Sequence, residues 1–343
     1  MVFGWGKGKA KPEKPVEPEP PKVPRIDLSK PRWDQSTFEG RARHFFSTTN
    51  PLNSLASDAE LDRAKTLLEQ YKAGTEPPGT TEEHVWEAKH LYDSAYHPET
   101  GEKLFLPGRM SFQVPGNMVI TGCMMQFYRS IPAVVFWQWV NQSFNAIVNY
   151  SNRNASAGVT TEQLGQAYVA ATAASVATAV GFNRLIARNP KLSQGMIGRF
   201  VPLLAVAAAN CVNIPLMRQR ELMEGIDIKT QEGEVLGKSK EAAKTAVAQV
   251  VPSRILMATP GMVIPPVIMV RLEQTAALRA TPSLGAPIMV GMTGLFLAFS
   301  TPLCCALFPQ EASISLSQIE PELQEKAKKM NPVPTVFYYN KGL

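Results

Sequence analysis

Four long apolar runs carrying a single charge among them constrain this 343-residue chain more than any other feature. They are LGQAYVAATAASVATAVGF (164 to 182), FVPLLAVAAANCVNIPLM (200 to 217), the run from Ala246 to Val270, and LGAPIMVGMTGLFLAFSTPLCCALF (284 to 308). Each approaches or exceeds the roughly 20 residues that a helix needs to cross about 30 Å of hydrocarbon. Four such helices are hard to bury in a soluble core of this size. Two further segments are less typical. VPGNMVITGCMMQFY (114 to 128) is short, and IPAVVFWQWVNQSFNAIVNY (131 to 150) is long enough but rich in amides. The expectation is an all-α fold: a polytopic membrane helix bundle over residues 111–310, with about five spans, give or take one, and helices broken by proline. Ala170, Ala171, Ala173, Ala174, Ser175 and Ala177 crowd the first run, and small residues let helix backbones approach closely in lipid.

The overall composition, 19% charged, looks like that of a soluble protein because it averages two regimes. Residues 1–25 are rich in Pro, Lys and Glu, which predicts a disordered tail. That tail lacks the continuous apolar core of a secretory signal, and Glu13, Glu17 and Glu19 do not suit an acid-poor mitochondrial presequence, so no cleaved address is expected. Residues 26–110 read as a small helical soluble domain. In SDAELDRAKTLLEQYKAG a capping box from Ser57 to Glu60 opens a helix that Gly74 stops. TTEEHVWEAKHLYDSAY repeats the device with Thr80 and Glu83. Residues 311–343 form a polar tail with one more helix up to Met330.

Several functions are disfavoured. The net charge of +6 resides in loops and tails without aromatic interleaving, which argues against nucleic acid. Arg184, Arg188, Lys191 and Arg199 follow the first run; Arg218, Arg220, Lys229, Lys238, Lys240 and Lys244 follow the second. Consecutive loops lie on opposite faces, so the positive-inside rule leaves orientation open. Cys123, Cys211, Cys304 and Cys305 all fall in apolar segments and read as reduced packing residues. His44, His90, His84 and His97 lack metal-ligand spacing. With no glycine-rich nucleotide loop and no nucleophile elbow, neither an enzyme nor a cofactor is expected.

Polar residues inside the membrane part are more informative, because amides and charges there cost free energy and turn toward a partner or a wet cavity. At 100° per residue, Gln138, Asn141, Gln142, Asn145 and Asn149 fall within an arc of roughly 100°, opposite Phe136, Val140, Phe144 and Ile147. Such a helix lines a hydrophilic pathway, or it lies flat among headgroups, where Trp137 and Trp139 would fit, or its amides form a packing seam. Asn210 and Asn213 share a face, and Pro215 loosens the ladder beside them. Pro252, Pro260, Pro265 and Pro266 interrupt the third run, with Gly261 after Pro260 and Arg254 inside it. An arginine in mid-span costs about 2.5 to 3.5 kcal/mol, so it faces a cavity, a carboxylate or a lipid phosphate, or snorkels to a surface. Broken helices are where transporters present backbone groups to solute. No Asp or Glu occurs within 114 to 149 or the four runs, which leaves no proton relay and no hard ligand for a metal cation. What remains suits a small neutral or zwitterionic solute. Arg254 would take its carboxylate, while Asn210, Asn213, Gln138, Asn141, Gln142, Asn145 and Asn149 would take its ammonium or hydroxyl.

Longer blocks carry a resemblance. PRWDQSTFEGRARHFF, HPETGEK, FWQWVNQSFNAIVNYSNRN, GRFVPLLAVAAANCVNIPLMRQREL, VPSRILMATPGMVIPP, TPLCCALFPQ and the terminal YYNKGL resemble the sideroflexins, most closely the branch regarded as mitochondrial serine transporters. The likeness runs from about Ile26 to the C-terminus; the proline-rich extension of residues 1 to 24 departs from it. The resemblance implies a multi-pass protein of the mitochondrial inner membrane that imports serine for one-carbon metabolism, with alanine, cysteine and glycine as related substrates and lipid as its surroundings. A tricarboxylate or iron carrier and a non-transporting scaffold for respiratory-complex or iron-sulfur assembly are the other functions associated with such chains. Citrate would want several cations, and Arg254 is the only one within the runs.

Overall fold

The computed structural model describes residues 25–97, 100–127, 129–152, 160–188, 196–309 and 311–341. The expected disordered tail lies outside them up to residue 24, as does Lys191. The chain divides into two units, Met1–Lys30 and Pro31–Leu343. In the first, the carboxylate of Asp27 accepts from the backbone and hydroxyl of Ser29.

The second unit opens with three helices, α1 (Phe38–Thr48), α2 (Asp58–Ala73) and α3 (Glu82–Ala95). The box at the start of α2 forms as expected. Ser57 Oγ accepts from the Glu60 amide, Glu60 Oε2 accepts from the Ser57 amide at 2.7 Å, and Gly74 closes the helix at φ +77°. The box of α3 lies one residue beyond the expected Thr80 and Glu83. Thr81 is the cap and His84 its reciprocal partner. Glu83 is engaged elsewhere, in a bidentate pair with Arg32 at 2.8 and 2.6 Å. Two threonines in a row offer two frames, and the ion pair goes with the second.

The membrane part comprises α4 (Gln113–Gln126), α5 (Ile131–Ser151), α6 (Thr161–Ala187), α7 (Val201–Met217), the short α8 (Gln219–Glu224), α9 (Lys240–Leu272), the short α10 (Ala276–Ala280) and α11 (Gly285–Ala306). Four helices, built on α6, α7, α9 and α11, are long and apolar enough to cross a membrane. At about 1.5 Å per residue, the 21 residues of α5 also reach the required length, whereas the 14 of α4 cover about 21 Å. The four prolines do not interrupt α9, which runs through 33 residues. Each removes one N–H, so Ala248, Leu256, Gly261 and Met262 lose the donor that their carbonyls would otherwise accept from. The expected breaks are thus missing ladder bonds in a continuous rod.

Cross-contacts show how the long helices run against one another. Gly122 of α4 meets Val290 of α11 while Gly294 meets Met118, which makes the two antiparallel. Phe112 and Gly116 meet Phe144, and Phe127 stacks on Trp137, so α4 and α5 form a second antiparallel pair. Asn152 at the end of α5 donates to the carbonyl of Gly108, returning the chain to the turn that precedes α4. Ser143 of α5 contacts Tyr168 of α6 at 3.0 Å. Arg199 before α7 pairs with Glu273 after α9, tying those two ends together at the far side. At the near side, Arg41 Nε donates to the carbonyl of Ala306, satisfying one of the orphan acceptors that end α11. Taken with α5 and with α4 as the short member, six segments alternate in direction, an even number, which predicts that residues 31–112 and 311–341 lie on one side of the membrane. Maleimide applied to sealed vesicles from either side is expected to label cysteines placed at Lys72 and Lys326 together; labelling from opposite sides would contradict this topology.

A small sheet stands on that same side. β1 (Ile226–Lys229), β2 (Val235–Ser239), β3 (Glu311–Ser315) and β4 (Val336–Asn340) pair antiparallel in the order β2-β1-β4-β3. The tail after 310 is thus more than polar chain with one helix. It supplies two strands and α12 (Pro321–Lys328), and joins them to the loop before α9. Ile228, Ala242, Ile314, Leu323, Phe337 and Tyr339 form the core. Lys341 is buried behind it with Nζ 4.4 Å from the centre of the Phe308 ring, and burial pushes its ammonium down to about 8.

Candidate functional site

The amide-rich segment settles into the bundle as α5, packed against α4, α6 and α7. It does not lie flat. Gln138, Asn141 and Gln142 are buried, while Phe136, Trp139, Ile147 and Tyr150 remain exposed. Phe144 departs from the expected apolar side. Its ring is buried against Gly116, where a Cβ would come within 2.5 Å of it.

The amides also fail to pair into a seam. Both polar atoms of Gln138, Nδ2 of Asn141 and Nε2 of Gln142 are buried without a hydrogen-bond partner among the described residues. An unpaired buried polar group costs about 1–3 kcal/mol, so this row favours water or a polar solute beside it.

One turn further along, Gln142, Ala146 and Asn149 of α5 meet Leu164 and Tyr168 of α6 and Asn213 and Met217 of α7 around a pocket. Here the chemistry is mixed. The Tyr168 and Ser143 hydroxyls are 3.0 Å apart, and Asn149 Nδ2 donates to Met217 Sδ, a weak acceptor that a better one would displace. Pro215 withholds the N–H that the Cys211 carbonyl would otherwise accept from, loosening α7 next to Asn213. The free interior volume is about 10 Å³, room for about one water molecule, so a larger solute enters only if α5, α6 and α7 separate.

The structure brings together three of the residues singled out from the sequence, Gln142, Asn149 and Asn213. Gln138 and Asn141 continue the line inward, and Asn145 is half-buried on the same helix. Asn210 is half-buried on α7 one turn from Asn213, and is not among the residues lining the pocket. Arg254 is half-buried on α9 and lies outside the pocket lining. It makes no hydrogen bond or ion pair among the described residues. Tyr168 was not anticipated. Its signal was a phenol inside an alanine-rich run, since a buried Tyr hydroxyl needs a partner. Among the described residues no cluster of three His, Cys, Asp or Glu could hold a metal.

Comparison with known proteins places this architecture. The family profile of the sideroflexins matches residues 27–343. Sideroflexin-3 of Homo sapiens is 58% identical over 318 residues, covering 93% of this chain and 98% of its own. Sideroflexin-1 of Sus scrofa is 57% identical over 320 residues, with the same two coverages. No solved structure matches. A multi-pass helical bundle with this sequence, alike from end to end apart from its first residues, belongs to the sideroflexin family.

Proposed function

We propose that the chain is a transporter of serine and related small neutral amino acids in the mitochondrial inner membrane, feeding one-carbon metabolism. The observation that carries the reading is the line of buried, unpartnered amides on α5 leading to the pocket of Gln142, Asn149, Tyr168 and Asn213. Amides and a phenol offer donors and acceptors without net charge, which suits the hydroxyl and ammonium of serine. Arg254 supplies the one positive charge inside the four apolar runs, and a carboxylate is its natural partner. Arg254 and Asn213 both lie toward the near end of the bundle. Arg254 falls in the first half of α9, which starts at the near end, and Asn213 is one turn from the end of α7. In this reading α7 separates the amide pocket from the arginine, and substrate passes between them as the helices part.

The test is uptake of labelled serine by liposomes containing the purified full-length protein. Saturable uptake, competed by alanine and cysteine, is expected. The absence of Asp and Glu from the four apolar runs and from 114 to 149 further predicts flux that follows the serine gradient without obligatory proton movement. A proton current locked to uptake would refute that mechanism, and no uptake by correctly inserted protein would favour the scaffold function instead.

A further inference from the structure

Soluble helical domains usually turn their large apolar side chains inward, and the domain before α4 does so only in part. Leu52 and Leu55, in the 3-10 turn Pro51–Leu55, are 69% and 79% exposed, and Phe105 is 52% exposed with Leu106 beside it. Scattered singly, such residues would need no explanation. Their placement is what matters. The turn 51–55 packs on the turn Met110–Phe112, which leads directly into α4 at the near side. Phe105 and Leu106 precede Gly108, which holds the end of α5 through Asn152. Phe46 of α1 meets Phe299 of α11 ring to ring at 6.2 Å, and Phe299 is an exposed side chain within a membrane span. Apolar side chains of the domain thus meet an exposed apolar side chain of a membrane span where Phe46 touches Phe299.

Charge is arranged accordingly. No charged residue occurs from Phe45 to Ser57 or from Leu104 to Gly108. Just beyond these stretches, Asp58 takes Arg109, and Asp62 takes Lys103 at 2.7 Å. Charges next to the apolar rim are therefore neutralised in pairs.

We propose that the N-terminal domain is seated in the membrane interface, with Leu52, Leu55, Phe105 and Leu106 reaching to the boundary between headgroups and acyl chains on the near side. The occupant of this surface is lipid, because Phe46 of the same domain already meets Phe299, an exposed side chain within a membrane span. Apolar side chains at an interface bind in proportion to the area they bury, and a rim around three helix ends would hold the domain against the bundle and set the level of α4.

The test places a diazirine-bearing amino acid at Leu55, at Phe105 and, as a water-facing control, at Lys72 on α2, in full-length protein reconstituted in phosphatidylcholine–cardiolipin vesicles. After illumination, lipid adducts at 55 and 105 are expected to exceed those at 72 several-fold, as read by mass spectrometry. Water adducts at both positions would overturn the proposal. So would peptide adducts, which would assign the surface to a second copy or to residues 1–24. The two positions lie in separate turns, so a folding defect at one leaves the other to decide.

Discussion

Replacing Arg254 with Gln is expected to reduce serine transport about tenfold or more while leaving folded protein in the membrane. The argument is one of charge. Gln keeps hydrogen-bonding capacity but removes the cation, and a charge-assisted bond to a carboxylate contributes about 1.5 to 3 kcal/mol, against 0.5 to 1.5 for a neutral one. The guanidinium makes no hydrogen bond or ion pair among the described residues, so its loss breaks no structural network. Substituting Asn213 by Ala should cost less, because only a neutral contact goes. Uptake at matched levels of inserted protein decides the matter. If Arg254 instead snorkels to lipid phosphate, transport by the Gln variant stays near wild type or folded protein falls generally. Wild-type affinity for serine in the folded variant would remove Arg254 from the path.

How far the sequence discloses this arrangement depends on the range of the forces involved. Helix existence in the membrane is a local property, so α6, α7, α9 and α11 are legible from uncharged length alone. The two faces of α5 are legible for the same reason, since side chains 100° apart sort themselves by solvent. Burial of Gln138, Asn141 and Gln142 follows that reading, whereas that of Phe144 does not. Phe144 needs Gly116, and nothing local in 131 to 150 says that a glycine from another helix will make room. The sheet fails for a sharper version of this reason. β1 pairs with β4 through Lys229 and Tyr338, more than a hundred residues apart, and each strand is only four or five residues long. The alternation Ala312, Ile314 and Phe337, Tyr339 is present in the sequence, but short alternating stretches become strands only once a partner is found. Arg254 shows the remaining gap. Its cost is readable from sequence, but whether it faces α5 or α11 depends on how α9 is rotated in the bundle.

Replacing Gly122 with Ala should destabilise the packing of α4 on α11. A Cβ built there comes within 2.7 Å of Val290 Cα and Cγ2 and 3.1 Å of its backbone N. A flexible side chain tip yields to such a contact; helix backbone cannot move without moving the helix. In lipid, where apolar surface gains nothing by leaving the solvent, close backbone approach is what holds helices together. The α4–α11 pair therefore loses packing along its length, at a cost of about 1–3 kcal/mol for an overpacked contact. Gly291 is the matched control. It lies one residue along α11 from Val290, and a Cβ there meets nothing within 4 Å, so Gly291→Ala should be neutral or slightly stabilising through helix propensity. Thermal unfolding in detergent is expected to rank Gly122→Ala clearly below wild type and Gly291→Ala at or above it. The effect should spread to transport, because α4 is also the wall against which Gly116 seats Phe144 and so sets the rotation of α5 and its amides. Equal stability of the two alanine variants would mean that α4 is not held by close packing on α11, and with it would go the antiparallel pairing from which the even number of crossings was counted.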